Sequence, residues 1–308
     1  MLFIQAYSYF PCSKLWQKVL GIRIVTIFLL LGALHVCPAQ RSNDLRSRIM
    51  ERIDEDQVAE RIELFRSQRL EENFCFQFQL EHKPRRGRTV RYEGIMYGSW
   101  GNGGPISRVS LFPEKVGKDA AIGLSPIELI VHNGVLPKVW MRRQFSQSFI
   151  PVESNALFEP IFDGVLYTPF DLQMPFIYWE NYKYEGPSRV LSRIGQLFLM
   201  YPPENSPADQ NGIAAVRIAI DDTYNALLRA EVLREANQTS TRFTVRGLKK
   251  VQGYYIVKEI ELKDMLTRDR TTFKVNAASI GLNFSAALFD PHNPDPVPEI
   301  SADSFEIL

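Results

Sequence analysis

Cysteine is scarce in this chain: 308 residues hold three, Cys12, Cys37 and Cys75. The first two fall in an amino-terminal segment with the layout of a leader. The one left forms no internal disulfide, so stability must come from a hydrophobic core. Histidine is equally sparse. His35, His82, His132 and His292 lie far apart, none at metal-ligand spacing with Cys, Asp or Glu, so neither a metal nor another cofactor is expected. A strong charge of one sign is missing too. Of 36 Lys+Arg, three precede residue 40, leaving 33 against 35 Asp+Glu, a balance without the basic footprint of a nucleic-acid binder. Gly101-Asn102-Gly103-Gly104 is followed by neither a Lys-Ser/Thr pair nor a helix start, which excludes a phosphate loop. Gly123-Leu124-Ser125-Pro126-Ile127 lacks the second glycine of a nucleophile elbow. Cys75 sits in a strand pattern, on its polar side, with no activating neighbour, and reads as a quiet thiol. Asp221-Asp222 reads as a turn. Together these absences point away from an enzyme.

What is present begins with export. Lys14, Lys18 and Arg23 precede an apolar run from Ile24 to Val36, then Cys37-Pro38-Ala39. Basic start, short apolar core and small-residue exit make a signal peptide, with cleavage expected after Ala39. The run falls short of the ~20 apolar residues of a membrane span. An uncleaved anchor and a lipoprotein acylated on Cys37 remain alternatives, although Val36 suits acylation poorly. The expected division is 1–39 signal peptide, 40–290 one folded domain and 291–308 an extended, acidic, Pro-rich tail. An exported chain of this size without disulfides fits a bacterial periplasm.

The periodicity of the mature chain changes once. Asp44 to Leu70 carries Leu45, Ile49, Ile53, Val58, Ile62 and Phe65 at helical spacing, with a slip at Asp54-Glu55-Asp56, and predicts an amphipathic helix lying on a sheet. From Phe74 the period becomes two: Phe74, Phe76, Phe78 and Leu80 alternate with Cys75, Gln77, Gln79 and Glu81. His132-Asn133-Gly134 marks a hairpin. Phe145 to Tyr184 is dense in aromatics and proline and predicts short helices and loops, with a helix start at Thr168-Pro169-Phe170-Asp171. Strands resume with Gln196–Tyr201 and include Val216/Ile218/Ile220, Phe243/Val245, Tyr254–Lys263 and Thr271–Asn276. Asn225–Ala236 has helical propensity but strand alternation, and is read as a strand.

The last third runs Phe243-Thr244-Val245, Gly253-Tyr254-Tyr255-Ile256-Val257-Lys258, Lys263-Asp264, Arg270-Thr271-Thr272-Phe273-Lys274-Val275, Asn283-Phe284 and Ala287-Leu288-Phe289-Asp290. With Leu172 to Trp179 and Tyr184-Glu185-Gly186, this resembles the outer membrane lipoprotein-sorting proteins, the LolA/LolB-like lipoprotein carriers. The resemblance is strongest from Tyr167 to Asp290. It departs at Arg85–Arg143, which is longer than a minimal carrier needs, and the functional arginine of the better-known carriers has no counterpart to which it can be carried over. The resemblance implies a mainly β (α+β) fold: an incomplete antiparallel barrel covered by an N-terminal helix and short helices, with an apolar cavity for acyl chains. The residues expected to face that cavity are Phe76, Phe78, Leu80, Leu197, Leu199, Val216, Ile218, Ile220, Phe243 and Val245. Phe170, Phe176, Tyr178 and Trp179 are the expected lid. Each of these has ordinary core packing as its alternative. The expected partners are acyl chains of lipoproteins or other lipids and, with them, envelope membrane proteins, the chain being a monomer. The other readings are an envelope sensor or scaffold binding another envelope protein, and an enzyme on the same fold.

Overall fold

The computed structural model describes residues 50–101, 103–113, 126–145, 147–162, 164–234, 238–292 and 294–308. The expected leader, 1–39, and the first residues of the expected helix, 44–49, lie outside them.

The helix is shorter than its periodicity predicts. α1 spans Glu55–Ser67, and Asp54 is its N-cap. Gln57 N–H donates to Asp54 Oδ1 at 2.9 Å, and Asp54 N–H donates to Gln57 Oε1 at 3.1 Å. The slip at Asp54-Glu55-Asp56 is therefore the helix start, a capping box that satisfies two orphan donors. Residues 50–53 are a non-helical lead-in, where Ile53 N–H donates to Tyr184 Oη at 3.2 Å. Ile62 and Phe65 are the helix positions buried against the sheet.

Among the described residues all strands belong to one antiparallel sheet that is not closed into a barrel. The first part of the chain lays down β1 (Asn73–Lys83), β2 (Val90–Gly101), β3 (Gly104–Pro113), β4 (Ile127–His132), β5 (Lys138–Arg142) and β6 (Ile150–Pro151), each beside the last. The chain then leaves the sheet as a cover. It passes through 3-10 turns at Ser154–Phe158 and Pro175–Ile177 and through α2 (Pro169–Gln173). It re-enters at the opposite edge as β7 (Tyr182–Val190). From there β8 (Arg193–Met200), a helical turn α3 (Pro207–Gln210), β9 (Ala215–Asp221), β10 (Leu227–Leu233), β11 (Thr239–Val251), β12 (Tyr254–Asp264) and β13 (Arg270–Leu282) step back to the middle, where β13 pairs with β1. The contested segment is thus a strand, its alternation winning over its helical propensity because strands flank it on both sides. β14 (Glu306–Ile307) adds to β13.

The two faces of the sheet have different covers. On the inner face, Phe74, Phe76, Phe78 and Leu80 join Val216, Ile218, Ile220, Phe243 and Val245 in one buried cluster with α1 and the cover segment. Across β1 and β2, Phe74 faces Gly98 and Phe78 faces Gly94. A Cβ on Gly98 would lie 1.7 Å from Phe74 Cζ, so glycine is what lets the ring lie flat over the neighbouring strand. The outer face at β1–β4 is polar by alternation, yet Cys75 there is 1% exposed. The carboxy-terminal segment covers it, Leu288 and Phe289 packing with Cys75 and Tyr97. Arg108 pins that segment, donating from Nη1 to the carbonyls of Leu288 (3.1 Å) and Asp295 (2.7 Å). Beyond it, Pro296 to Ile300 and Phe305 lie beside Cys75, Tyr97 and Arg108 on the same face, a strap that ends in a 3-10 turn at Ala302–Ser304 and in β14.

Candidate functional site

The cover is built by local rules. Thr168 caps α2: Asp171 N–H donates to Thr168 Oγ1 at 3.2 Å, and Thr168 N–H donates to Asp171 Oδ2 at 2.9 Å. Pro169 occupies the first helical turn, where its missing N–H costs nothing. Met174 ends the helix in the left-handed conformation, φ 46°, and Pro175 begins the next turn. Burial pushes the Asp171 carboxyl up to about 6, against the Thr168 hydrogen bonds that act to lower it. Two side chains clasp the cover to the body. Arg66 of α1 donates from Nε to Ile177 O (2.7 Å) and from Nη2 to Trp179 O (2.6 Å). Asn133, in the β4–β5 turn, donates from Nδ2 to Leu172 O (3.1 Å) and Gln173 O (2.5 Å). Burial lowers the Arg66 guanidinium below its ordinary value and raises the Tyr178 phenol above its own.

The interior beneath the cover is nearly full. A void of about 20 Å³ lies among Phe78, Leu80, Met96, Val109, Tyr167 and their neighbours, room for about one water. The large space lies elsewhere. A cleft of about 1110 Å³ opens where the sheet fails to close. One wall is the β5–β6 edge, with Val139, Trp140 and Val152. The facing wall is the stretch around β7 and β8, with Asn181, Tyr201, Pro202 and Pro203, and the floor is the cover, with Phe158, Phe170, Tyr178 and Trp179. The volume lies just above the ~300–1,000 Å³ typical of small-molecule sites. The lining is mainly apolar and aromatic. Glu153, Glu180, Glu204, Lys138 and His292 are exposed at the rim. Val135 and Leu136, at the tip of the β4–β5 turn, stand 72% and 82% exposed at the same mouth.

The nominated residues divide between these places. Phe76, Phe78, Leu80, Val216, Ile218, Ile220, Phe243 and Val245 face the filled inner cluster, and of them Phe78 and Leu80 touch the small void. None of them lines the large cleft. Leu197 and Leu199 are a correction. They point to the other side of β8, Leu197 with Val190, Ala219 and Leu228, and Leu199 with Ala215 and Leu233. Phe198 and Met200 hold the inner positions. Four consecutive apolar side chains, Leu197 to Met200, carry no alternation, so register across β9 (Phe198 opposite Ile218) decides the face. Of the lid residues, Phe170, Tyr178 and Trp179 line the cleft, while Phe176 packs beneath, beside Trp179. Sequence reasoning missed Gln173, a 4% exposed polar residue that also lines the cleft. Its signal was a glutamine inside the otherwise apolar stretch from Leu172 to Trp179. The Cys75 thiol, placed by alternation on a polar face, is instead buried under the strap, and burial pushes it up to about 12.

Among the described residues no group of His, Cys, Asp and Glu could hold a metal ion. No helix of the described residues is long and apolar enough to cross a membrane.

Comparison with known proteins gives a likeness of shape. No family model matches the sequence, and no curated protein matches it. Solved structures do match. A DUF1329 family protein from Desulfovibrio piger superposes with a TM-score of 0.61 at 11% identity, over 76% of this chain and 95% of that one. A domain from Vibrio parahaemolyticus described as an outer membrane lipoprotein-sorting protein gives 0.62 at 11% identity, over the same shares. A LolA superfamily protein from Nitrosomonas europaea gives 0.52 at 8% identity, over 77% of this chain and 98% of that one. At such identities the likeness concerns the fold, and the open antiparallel sheet with its helical cover is the LolA-like fold.

Proposed function

We propose that this protein is an exported, non-catalytic carrier or chaperone that shelters acyl chains of lipids or lipoproteins on their way to the outer membrane. One observation carries the reading: a cleft of about 1110 Å³, walled by apolar and aromatic side chains, at the gap between the edges of an open sheet. A closed barrel would have no such gap, and a fully packed sandwich no such volume. Each buried methylene gains ~0.8 kcal/mol, so partial burial of one chain suffices for binding while leaving release feasible. In this reading Phe170, Tyr178 and Trp179 are the first surfaces a chain meets. The inner-face residues, Phe76, Phe78 and Leu80 with their neighbours on β9 and β11, receive more of it when the cover loosens. The likeness to lipoprotein-sorting and LolA superfamily structures supports the same class of cargo. The leader that would deliver the chain to the periplasm rests on the Lys14–Ala39 pattern.

The test is direct. Protein purified from an envelope fraction should release acyl lipids on denaturation, seen by mass spectrometry, and the delipidated protein should enhance the fluorescence of dansyl-undecanoic acid. Neither lipid nor probe uptake would overturn the carrier reading. That result would favour the second reading, an envelope scaffold or sensor, for which the nearly filled interior speaks. A scaffold should capture one fixed envelope protein on crosslinking in cells, whether or not lipoproteins are being exported.

A further inference from the structure

The cleft floor holds a polar side chain, in a residue almost wholly buried, that the packing does not use. Gln173, the last residue of α2, is 4% exposed and lines the cleft. Its backbone carbonyl is engaged, accepting from Asn133 Nδ2. Its side-chain amide makes no hydrogen bond among the described residues, whereas Asn133 Nδ2 and the Arg66 guanidinium are spent on clasping the cover. An amide cut off from water without a partner is costly, and leucine at this position would carry no such cost. While the cleft is open to solvent, water can serve the amide. A purely hydrocarbon ligand that expels water would leave it unserved, so the site disfavours such a ligand. A ligand with a hydrogen-bonding group at the same depth restores the bond.

We infer that Gln173 reads the carbonyl at the root of an acyl chain: the cleft takes amphiphiles whose chain is ester- or amide-linked, with the Gln173 Nε2 amide donating to that carbonyl. The aromatic floor of Phe170, Tyr178 and Trp179 holds the methylenes, and the head lies toward the exposed rim. An ester presents only an acceptor. An amide also presents an N–H, to which Gln173 Oε1 accepts. This rests on the carrier reading and adds to it the residue that recognises the acyl linkage.

The experiment compares chain-matched amphiphiles below their micellar concentrations by displacement of N-phenyl-1-naphthylamine from the full protein. Monolauroylglycerol carries an ester, N-lauroylethanolamine an amide, and 1-O-dodecylglycerol neither. The ester and the amide should bind about three- to tenfold more tightly than the ether, and the stronger of the two tells which acyl linkage the site prefers. Gln173→Leu should bring ester and amide affinities down to that of the ether, leaving the ether unchanged or tighter. Equal affinities of all three for the unaltered protein overturn the role of Gln173 while the carrier reading stands. If none of them binds, and the probe itself does not, both fail. Should Gln173→Leu not fold, the ester-to-ether ratio of the unaltered protein decides alone.

Discussion

Three side chains show how buried polar and aromatic groups are held here. Asp171 keeps its carboxyl buried, and burial pushes it from 3.8 up to about 6. A folded value above the unfolded one means that this group's contribution is fully present below about pH 4 and is lost as the pH rises through 6. The gap corresponds to a loss of up to about 3 kcal/mol. Asp171→Asn keeps an acceptor for Thr168 and removes the titration. Urea unfolding at pH 4.5 and 7.5 should show the variant gaining on the parent by about 1–3 kcal/mol at the higher pH. Parallel pH profiles would contradict the assignment. Arg108 lies on the outer face, 2% exposed, with Nε 2.7 Å from Oε1 of the fully buried Glu128, which Arg142 also meets. Arg108→Met strips Glu128 of one partner and unpins the strap, and should cost about 3–5 kcal/mol in unfolding free energy. Replacing Glu128 by Leu in that background should recover part of the loss. Gly98 is defined by what leans on it: the Phe74 ring, 1% exposed, has nowhere to retreat. Gly98→Ala should destabilise by about 1–3 kcal/mol through overpacking, and Phe74→Leu should rescue it.

At the scale of elements, the strap and the cover can each be tested by what they hide. Truncation before Pro291 removes the strap that closes over the outer face beside Cys75. Labelling of Cys75 by a maleimide at pH 8, mapped by peptide mass spectrometry, should be very slow in the intact fold and accelerate at least tenfold in the truncated one. Equal rates would show that Leu288 and Phe289 alone protect it. The cover hangs on two clasps. Arg66→Ala removes both bonds to Ile177 and Trp179 and should speed uptake of dansyl-undecanoic acid in stopped-flow mixing several-fold, with little change in unfolding midpoint. The elements were also what the sequence showed best. Strand alternation such as Phe74/Phe76/Phe78 and the Thr168-Pro169-Phe170-Asp171 cap are local patterns, fixed by local geometry, and the structure has both. The described part of the expected helix begins later than its spacing predicts, because Ile53 continues the apolar stripe across a capping box at Asp54, and spacing alone does not distinguish a helix from the residues before its cap. The β8 face was misassigned because Leu197 to Met200 are all apolar.

For the whole molecule, the open LolA-like sheet was legible in the sequence, while the cleft was not. Its walls come from the β5–β6 edge, the cover and the Tyr201–Ala208 stretch, segments that meet only because β6 and β7 end up at opposite edges with the cover bridging them. No pattern within one segment encodes that meeting. The residues chosen for alternation belong to the inner core, and the large space lies beside it. The same topology has a consequence for how the protein is made. The strands from β1 to β6 and those from β7 to β13 are each a chain of hairpins between sequence neighbours, so each half has mostly short-range pairings to find. Among the described residues the two halves pair with each other along β1 and β13, from Asn73 opposite Leu282 to Lys83 opposite Arg270, across nearly the whole length of the domain. Closing so long a loop is slow. It cannot begin until the last long strand has been synthesised. A nascent chain built this way remains unable to finish folding until almost all of it has emerged, the condition that a chain threaded through a membrane in the unfolded state has to meet.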